Sequence, residues 1–127
     1  MNVLFVLNSG FDTPGPSNHL LEAIIEALLL NECKVHVIAK RRTDEKLAMP
    51  KHLFGKRNLS YDVSRVKNID KASFAKRYFA DIKYAFSCVK YYRKNKDSDI
   101  VFLQSCNTAF FHIFLLKVFL KKPIVYN

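Results

Sequence analysis

Apolar residues fall into short unbroken runs separated by stretches where they recur at helical spacing, and this alternation organises the chain. The first run, Val3, Leu4, Phe5, Val6 and Leu7, predicts a strand over residues 3–7 buried on both faces, since a strand with one wet face would alternate apolar with polar. Residues 8–16 carry Gly10, Pro14, Gly15 and Pro16, the turn chemistry of a loop. Ser17 or Asn18 then suits the cap of a helix reaching about Leu30, with Leu20, Leu21, Ile24, Ile25, Leu28 and Leu29 on its apolar stripe. Val35, Val37 and Ile38 mark a second strand over 34–39. The pattern weakens over 40–71, where Arg41, Arg42, Lys46 and Lys51 surround Pro50 and Gly55, and a short third strand at 59–63 is only faintly signalled.

Periodicity returns at 73–93, which reads as one long amphipathic helix. Phe74, Tyr78, Phe79, Ile82, Ala85, Phe86, Val89 and Tyr92 form its stripe. A strand at 100–103, a polar loop at 104–108, an apolar helix at 109–120 and a final strand at 124–126 complete the pattern. Strands and helices in alternation imply parallel strands joined by right-handed crossovers. The expected fold is therefore α/β, Rossmann-like, with a mostly parallel sheet flanked by helices. The chain stops on a strand with no covering element after it. Residues 1–127 are accordingly expected to be one half of a larger enzyme, truncated before a second domain.

Composition narrows the classes. With 127 residues the length suits one domain, and 50% hydrophobic content excludes a disordered chain. Cys33, Cys88 and Cys106 are far apart and form no CxxC pair, so neither a zinc site nor a disulfide framework is suggested. The longest apolar stretch, residues 109–116, is far short of the roughly 20 residues a membrane span needs. No cation precedes the first apolar run as a signal peptide would require. A formal net charge of +10 favours anionic partners.

Ligands of open parallel sheets bind beyond the carboxyl ends of the strands. That singles out two loops, residues 8–19 and 104–108, each leading into a helix whose free N–H groups suit an anion. The first is neither a GxGxxG fingerprint nor a P-loop, which removes the main support for dinucleotide binding or nucleoside-triphosphate hydrolysis. Gln104, Ser105 and Asn107 are candidates for hydrogen bonds to a polar ligand. His19 is placed either at the cleft or as a helix cap. His36 and His112 read as sheet and core histidines, and Glu22 and Glu26 as solvated charges.

The segment 13–22, Thr-Pro-Gly-Pro-Ser-Asn-His-Leu-Leu-Glu, resembles the opening of family-4 retaining glycosyltransferases, where a short strand leads through a Gly-Gly-Pro-Ser-Arg-His type of segment into a helix. Residues 31–38 are similar to that family's Gly-His-Glu-Val-His-Val-Ile run, 99–105 to its Asp-Val-Val-His-Leu-His-Ser strand, and 121–126 to its Gly-Lys-Pro-Val-Val-Tyr strand. Pro14 and Asn18 depart from the family's glycine and arginine, Glu32 and Cys33 from a glycine and a histidine, and Phe102 and Gln104 from two histidines.

The resemblance implies a GT-B architecture, two Rossmann-like domains facing across a cleft. The N-terminal half would bind a glycan or lipid-linked acceptor, through Gly15, Pro16, Ser17, His19, Gln104, Ser105 and Asn107. A C-terminal half, not among these residues, would hold the nucleotide-sugar donor and a glutamate pair. The chain would contribute no catalytic residue and be inactive alone, in a hexosyltransferase-type reaction needing no metal or other cofactor. Such an enzyme would build a polysaccharide, capsule or other cell-surface glycan, in the cytoplasm or at the inner face of the plasma membrane. Lys76, Arg77, Lys83, Lys90, Arg93 and Lys94 would then face an anionic membrane, where each cation gains on the order of 1 kcal/mol. Nucleic acid ranks below the membrane as a partner, because no binding motif accompanies the cations. Two other classes stay open, a non-catalytic membrane-recruiting subunit of a two-chain glycosyltransferase and a flavodoxin-like ligand-binding module. Exposed apolar surface on the final strand would favour a dimer.

Overall fold

The computed structural model describes residues 1–7, 16–42, 56–68, 73–104 and 109–126. Five parallel strands, β1 (Asn2–Val6), β2 (Lys34–Arg42), β3 (Leu59–Asn68), β4 (Ile100–Leu103) and β5 (Ile124–Tyr126), form one sheet in the order β3-β2-β1-β4-β5. Among the described residues four helices accompany them: α1 (Pro16–Leu30), α2 (Phe74–Ser87), α3 (Val89–Lys94) and α4 (Ala109–Phe119). The expected α/β, Rossmann-like architecture is the one observed.

β1 lies at the centre, paired to β2 on one side and β4 on the other, so its continuous apolar run is buried on both faces as its composition requires. Val3, Phe5 and Leu7 pack with Val35, Val37 and Ala39 beneath Leu21 and Ile25 of α1. Leu4, Val6, Ile38, Val101 and Leu103 face the opposite way, under the layer built by α2, α3 and α4. Alternation of side chains along each strand sorts these two sets.

The sequence expectations shift in several places. α1 begins at Pro16, so Ser17 and Asn18 lie inside its first turn and are not its caps. Proline suits that first helical position, where its missing N–H would have no partner anyway. α1 ends at Leu30, as expected, through a Schellman closure: Cys33 N–H donates to Leu28 O at 3.0 Å and Glu32 N–H to Leu29 O at 3.1 Å. That closure holds Glu32 at φ 62, in left-handed space. β2 and β3 both run beyond their expected ends, to Arg42 and Asn68. Their parallel pairing, with a register shift between Lys40 and Arg41, supplies what the local pattern lacked.

The expected single helix over 73–93 is two, interrupted at Cys88. Ser87 Oγ donates to Tyr84 O at 2.7 Å, the kind of back-bond that perturbs a helix. Its inward side is also rotated from the expected stripe. Ala80, Tyr84, Ala85, Cys88, Tyr91 and Tyr92 are buried, while Phe74, Phe79 and Phe86 are exposed. Small residues at 80, 85 and 88 let the backbone approach the sheet, and Ser87 meets Ser64 of β3 at 2.8 Å. α4 likewise turns His112, Leu115 and Leu116 inward and leaves Phe110, Phe114 and Val118 exposed.

Candidate functional site

The crossover from β1 runs through α1 on one face of the sheet, whereas β4 continues into α4 on the other. Neighbouring strands whose connections leave on opposite faces open a crevice at their carboxyl ends, the topological switch point where such sheets bind ligands. β1 and β4 are that pair here. The N-terminal ends of α1 and α4 stand on its two sides, and the two loops singled out from sequence are the segments between these strands and helices.

Of the expected acceptor residues, Gly15, Ser105 and Asn107 lie outside the described residues. Pro16, Ser17 and His19 are placed by backbone in the first turn of α1, at the crevice. Gln104 is half-buried at the end of β4, and its N–H donates to Val6 O at 3.0 Å. That bond extends the β1–β4 pairing to the crevice floor.

Sequence reasoning missed the residue that supports this floor. Tyr84 is fully buried, and its hydroxyl donates to Leu7 O at 2.5 Å where the chain leaves β1. The carbonyl of Ile38 lies 3.5 Å from the same hydroxyl. The Tyr84 ring meets His112 edge-on at 5.4 Å between centroids, and His112 Nδ1 lies 3.3 Å from the Tyr92 hydroxyl. His112 is thus a buried core histidine, as expected, within a set that links α2, α3 and α4 to the exit of β1. The helical spacing of Tyr84, Cys88, Tyr91 and Tyr92 was the available signal.

The other expected features lie elsewhere. His36 sits on the sheet face beneath α2 and α3, its Nδ1 2.6 Å from Ser60 Oγ and its Nε2 2.8 Å from Asp62 Oδ2. Near it, at the amino ends of β1, β2 and β3, is a cavity of about 220 Å3. β1 has five residues, so at about 3.3 Å per residue this cavity is roughly 16 Å from the crevice. Lys76, Arg77, Lys83, Lys90, Arg93 and Lys94 are all exposed. Lys90 Nζ lies 4.8 Å from the centre of the Tyr91 ring, and the Arg93 guanidinium 5.2 Å from that of Phe119. Among the described residues, no cluster of three or more His, Cys, Asp and Glu side chains is placed to hold a metal ion, and no helix is long and apolar enough to cross a membrane.

No family model matches this chain, and no curated protein does. Among solved structures it is similar to the crystal structure of Acinetobacter baumannii MurG, at 17% identity and a TM-score of 0.60. The match covers 98% of this chain and 34% of that one, so the chain spans about a third of that protein's length. MurG is a GT-B glycosyltransferase. The likeness shows the fold, a five-stranded parallel sheet flanked by helices as in one half of a GT-B architecture.

Proposed function

We propose that this chain is the acceptor-side, N-terminal half of a family-4 retaining GT-B glycosyltransferase, acting on a polysaccharide or lipid-linked glycan. The observation that carries the reading is the crevice between β1 and β4, set in a fold that matches a GT-B protein along 98% of the chain. Two backbone positions support it. Glu32 and Lys121 are the non-glycine residues with positive φ among those described, at 62° and 54°. Both fall where the resembled family segments carry glycine, the residue that adopts this geometry most readily.

In this reading the acceptor lies across the crevice. Its polar groups meet Gly15, Pro16, Ser17 and His19 on the α1 side, and Gln104, Ser105 and Asn107 on the β4 side. The nucleotide-sugar is held mainly by a second Rossmann-like half closing over the acceptor, and the chain alone transfers nothing. Tyr84 acts from below by fixing the Leu7 carbonyl. Titrating a lipid-linked monosaccharide in micelles, or a soluble oligosaccharide, into labelled protein tests this. The amides of Leu7, Gln104 and the first turn of α1 should shift together and saturably. Shifts absent there, or confined to the amino ends of the strands, would overturn the reading.

The same helix layer supports a membrane-facing role. Phe79 and Phe86 of α2 and Phe110, Phe114 and Val118 of α4 are exposed, and Lys76, Arg77, Lys83, Lys90, Arg93 and Lys94 project from the same layer. Aromatics with cations suit the interface of an anionic bilayer. Sedimentation with vesicles with and without anionic lipid decides this, and no binding at low salt would refute it. Val125 and Tyr126, exposed on the edge strand β5, are the surface that a second half or a second copy would cover.

A further inference from the structure

We propose that the cavity at the amino ends of β1, β2 and β3 is a second binding site, for a small phosphate ester. This inference stands apart from the glycosyltransferase reading, because it rests on the opposite end of the sheet. The cavity holds about 220 Å3, below the roughly 300–1,000 Å3 of pockets for drug-sized ligands, which suits a single ring with its phosphate. Lys34, at the start of β2, and Arg57, in the turn before β3, bring two exposed cations to its lining. A guanidinium with a second cation close by is the donor set that binds a phosphate oxygen pair.

Three carboxylates, Asp62, Asp97 and Asp99, stand nearby, and Asp99 accepts from Asn2 N–H at 2.8 Å. Asp97, which lines the cavity, accepts from Asn2 Nδ2 through Oδ2 at 3.1 Å. Asp62 lies 2.8 Å from His36 Nε2, and His36 is held on its other side by Ser60. Among the lining residues, the two cations Lys34 and Arg57 outnumber the one carboxylate, Asp97. Neutral hydrogen-bonding groups complete it. Asn95 donates its amide to Tyr91 O at 2.8 Å and retains a side-chain carbonyl, and Asn58 adds a second amide.

Ser98 points most directly to a ligand. It is 3% exposed, lines the cavity, and its hydroxyl has no hydrogen-bond partner among the described residues. Buried hydroxyls are nearly always partnered, since removal from water without a replacement bond is unfavourable. An oxygen of a bound ester gives this hydroxyl its partner.

Calorimetric titration of this chain with inorganic phosphate, a hexose 1-phosphate and the plain hexose tests the proposal. The hexose phosphate should bind saturably and more tightly than phosphate, with amide shifts at Asn58 and Ser98, and the plain hexose should not bind. Arg57→Gln should weaken binding by about tenfold or more, the loss of one charge-assisted bond, while Lys117→Gln on exposed α4 leaves it unchanged. Ser98→Ala should weaken the ligand yet keep or raise the thermal midpoint of the free chain, because the hydroxyl it removes bonds no other described residue. Absence of saturable binding, equal loss in Arg57→Gln and Lys117→Gln, or equal binding of the plain hexose would overturn the proposal. So would a Ser98→Ala chain that is destabilised but binds normally.

Discussion

The two faces of this sheet are built on different rules. Beneath α1, the inward positions of β1 and β2 are all apolar: Val3, Phe5, Leu7, Val35, Val37 and Ala39. On the other face, Leu4, Val6, Ile38, Val101 and Leu103 give way towards β3 to His36, Ser60, Asp62 and Ser64, and the covering helices present Tyr84, Tyr92 and His112. An apolar contact is non-directional and tolerates small slides of a helix. A buried hydroxyl has few places to bond, so the polar positions of the second face fix where α2 sits, while the apolar residues buried on both faces supply most of the stability.

The largest test of this contrast lies on the apolar face. Phe5 is fully buried and its ring centre is 5.0 Å from that of Phe102, so Phe5→Ala should cost about 3–5 kcal/mol in urea unfolding. Tyr84→Phe keeps the ring but removes the donor to Leu7 O, and should cost about 1–2 kcal/mol. It should also move the amide resonances of Leu7 and Gln104, which Phe5→Ala need not do specifically. A Tyr84→Phe chain as stable as the parent would break the comparison. Glu32→Gly sharpens it from the opposite direction. It relieves a left-handed backbone outside both cores, and should raise stability by up to about 1 kcal/mol. Smallest of all, Phe79→Ser, Phe86→Ser and Phe114→Ser alter exposed positions, and each should stay within about 0.5 kcal/mol in stability. Together they should reduce binding to anionic vesicles, and intact vesicle binding would remove the aromatics from the membrane proposal.

The same contrast explains what was legible in the sequence. β1, β4 and the end of α1 were readable because runs of Val, Leu, Ile and Phe carry the period of their element with no competing chemistry. The inward side of α2 was not. Three phenylalanines weighted the apparent stripe, whereas the buried side is set by small residues and a tyrosine whose hydroxyl bonds the Leu7 carbonyl at the exit of β1. β3 was faint because Ser60, Asp62 and Ser64, on the face that meets His36 and Ser87, are polar and become comprehensible only beside those partners. At the crevice, the two loops singled out from sequence follow β1 and β4, and Gln104 stands at the end of β4. Tyr84 was missed because it acts from beneath and carries no loop signature. The amino-end cavity was missed because its lining comes from strand starts and turns far apart in the chain.

The central position of β1 also sets an order of events in time. Its pairing with β2 closes within the first 38 residues, whereas its pairing with β4 joins Val3 to Ile100. Contacts so distant along the chain form late, since the intervening segment must first be gathered. The β1–α1–β2 unit should therefore assemble first and wait with the outer edge of β1 unpaired until β4 docks. Pulsed hydrogen exchange during refolding offers a direct reading, because the Leu7 amide bonds to β2 at Ile38 O and the Gln104 amide to β1 at Val6 O. Leu7 should be protected before Gln104, and simultaneous protection would mean that the sheet condenses in one step.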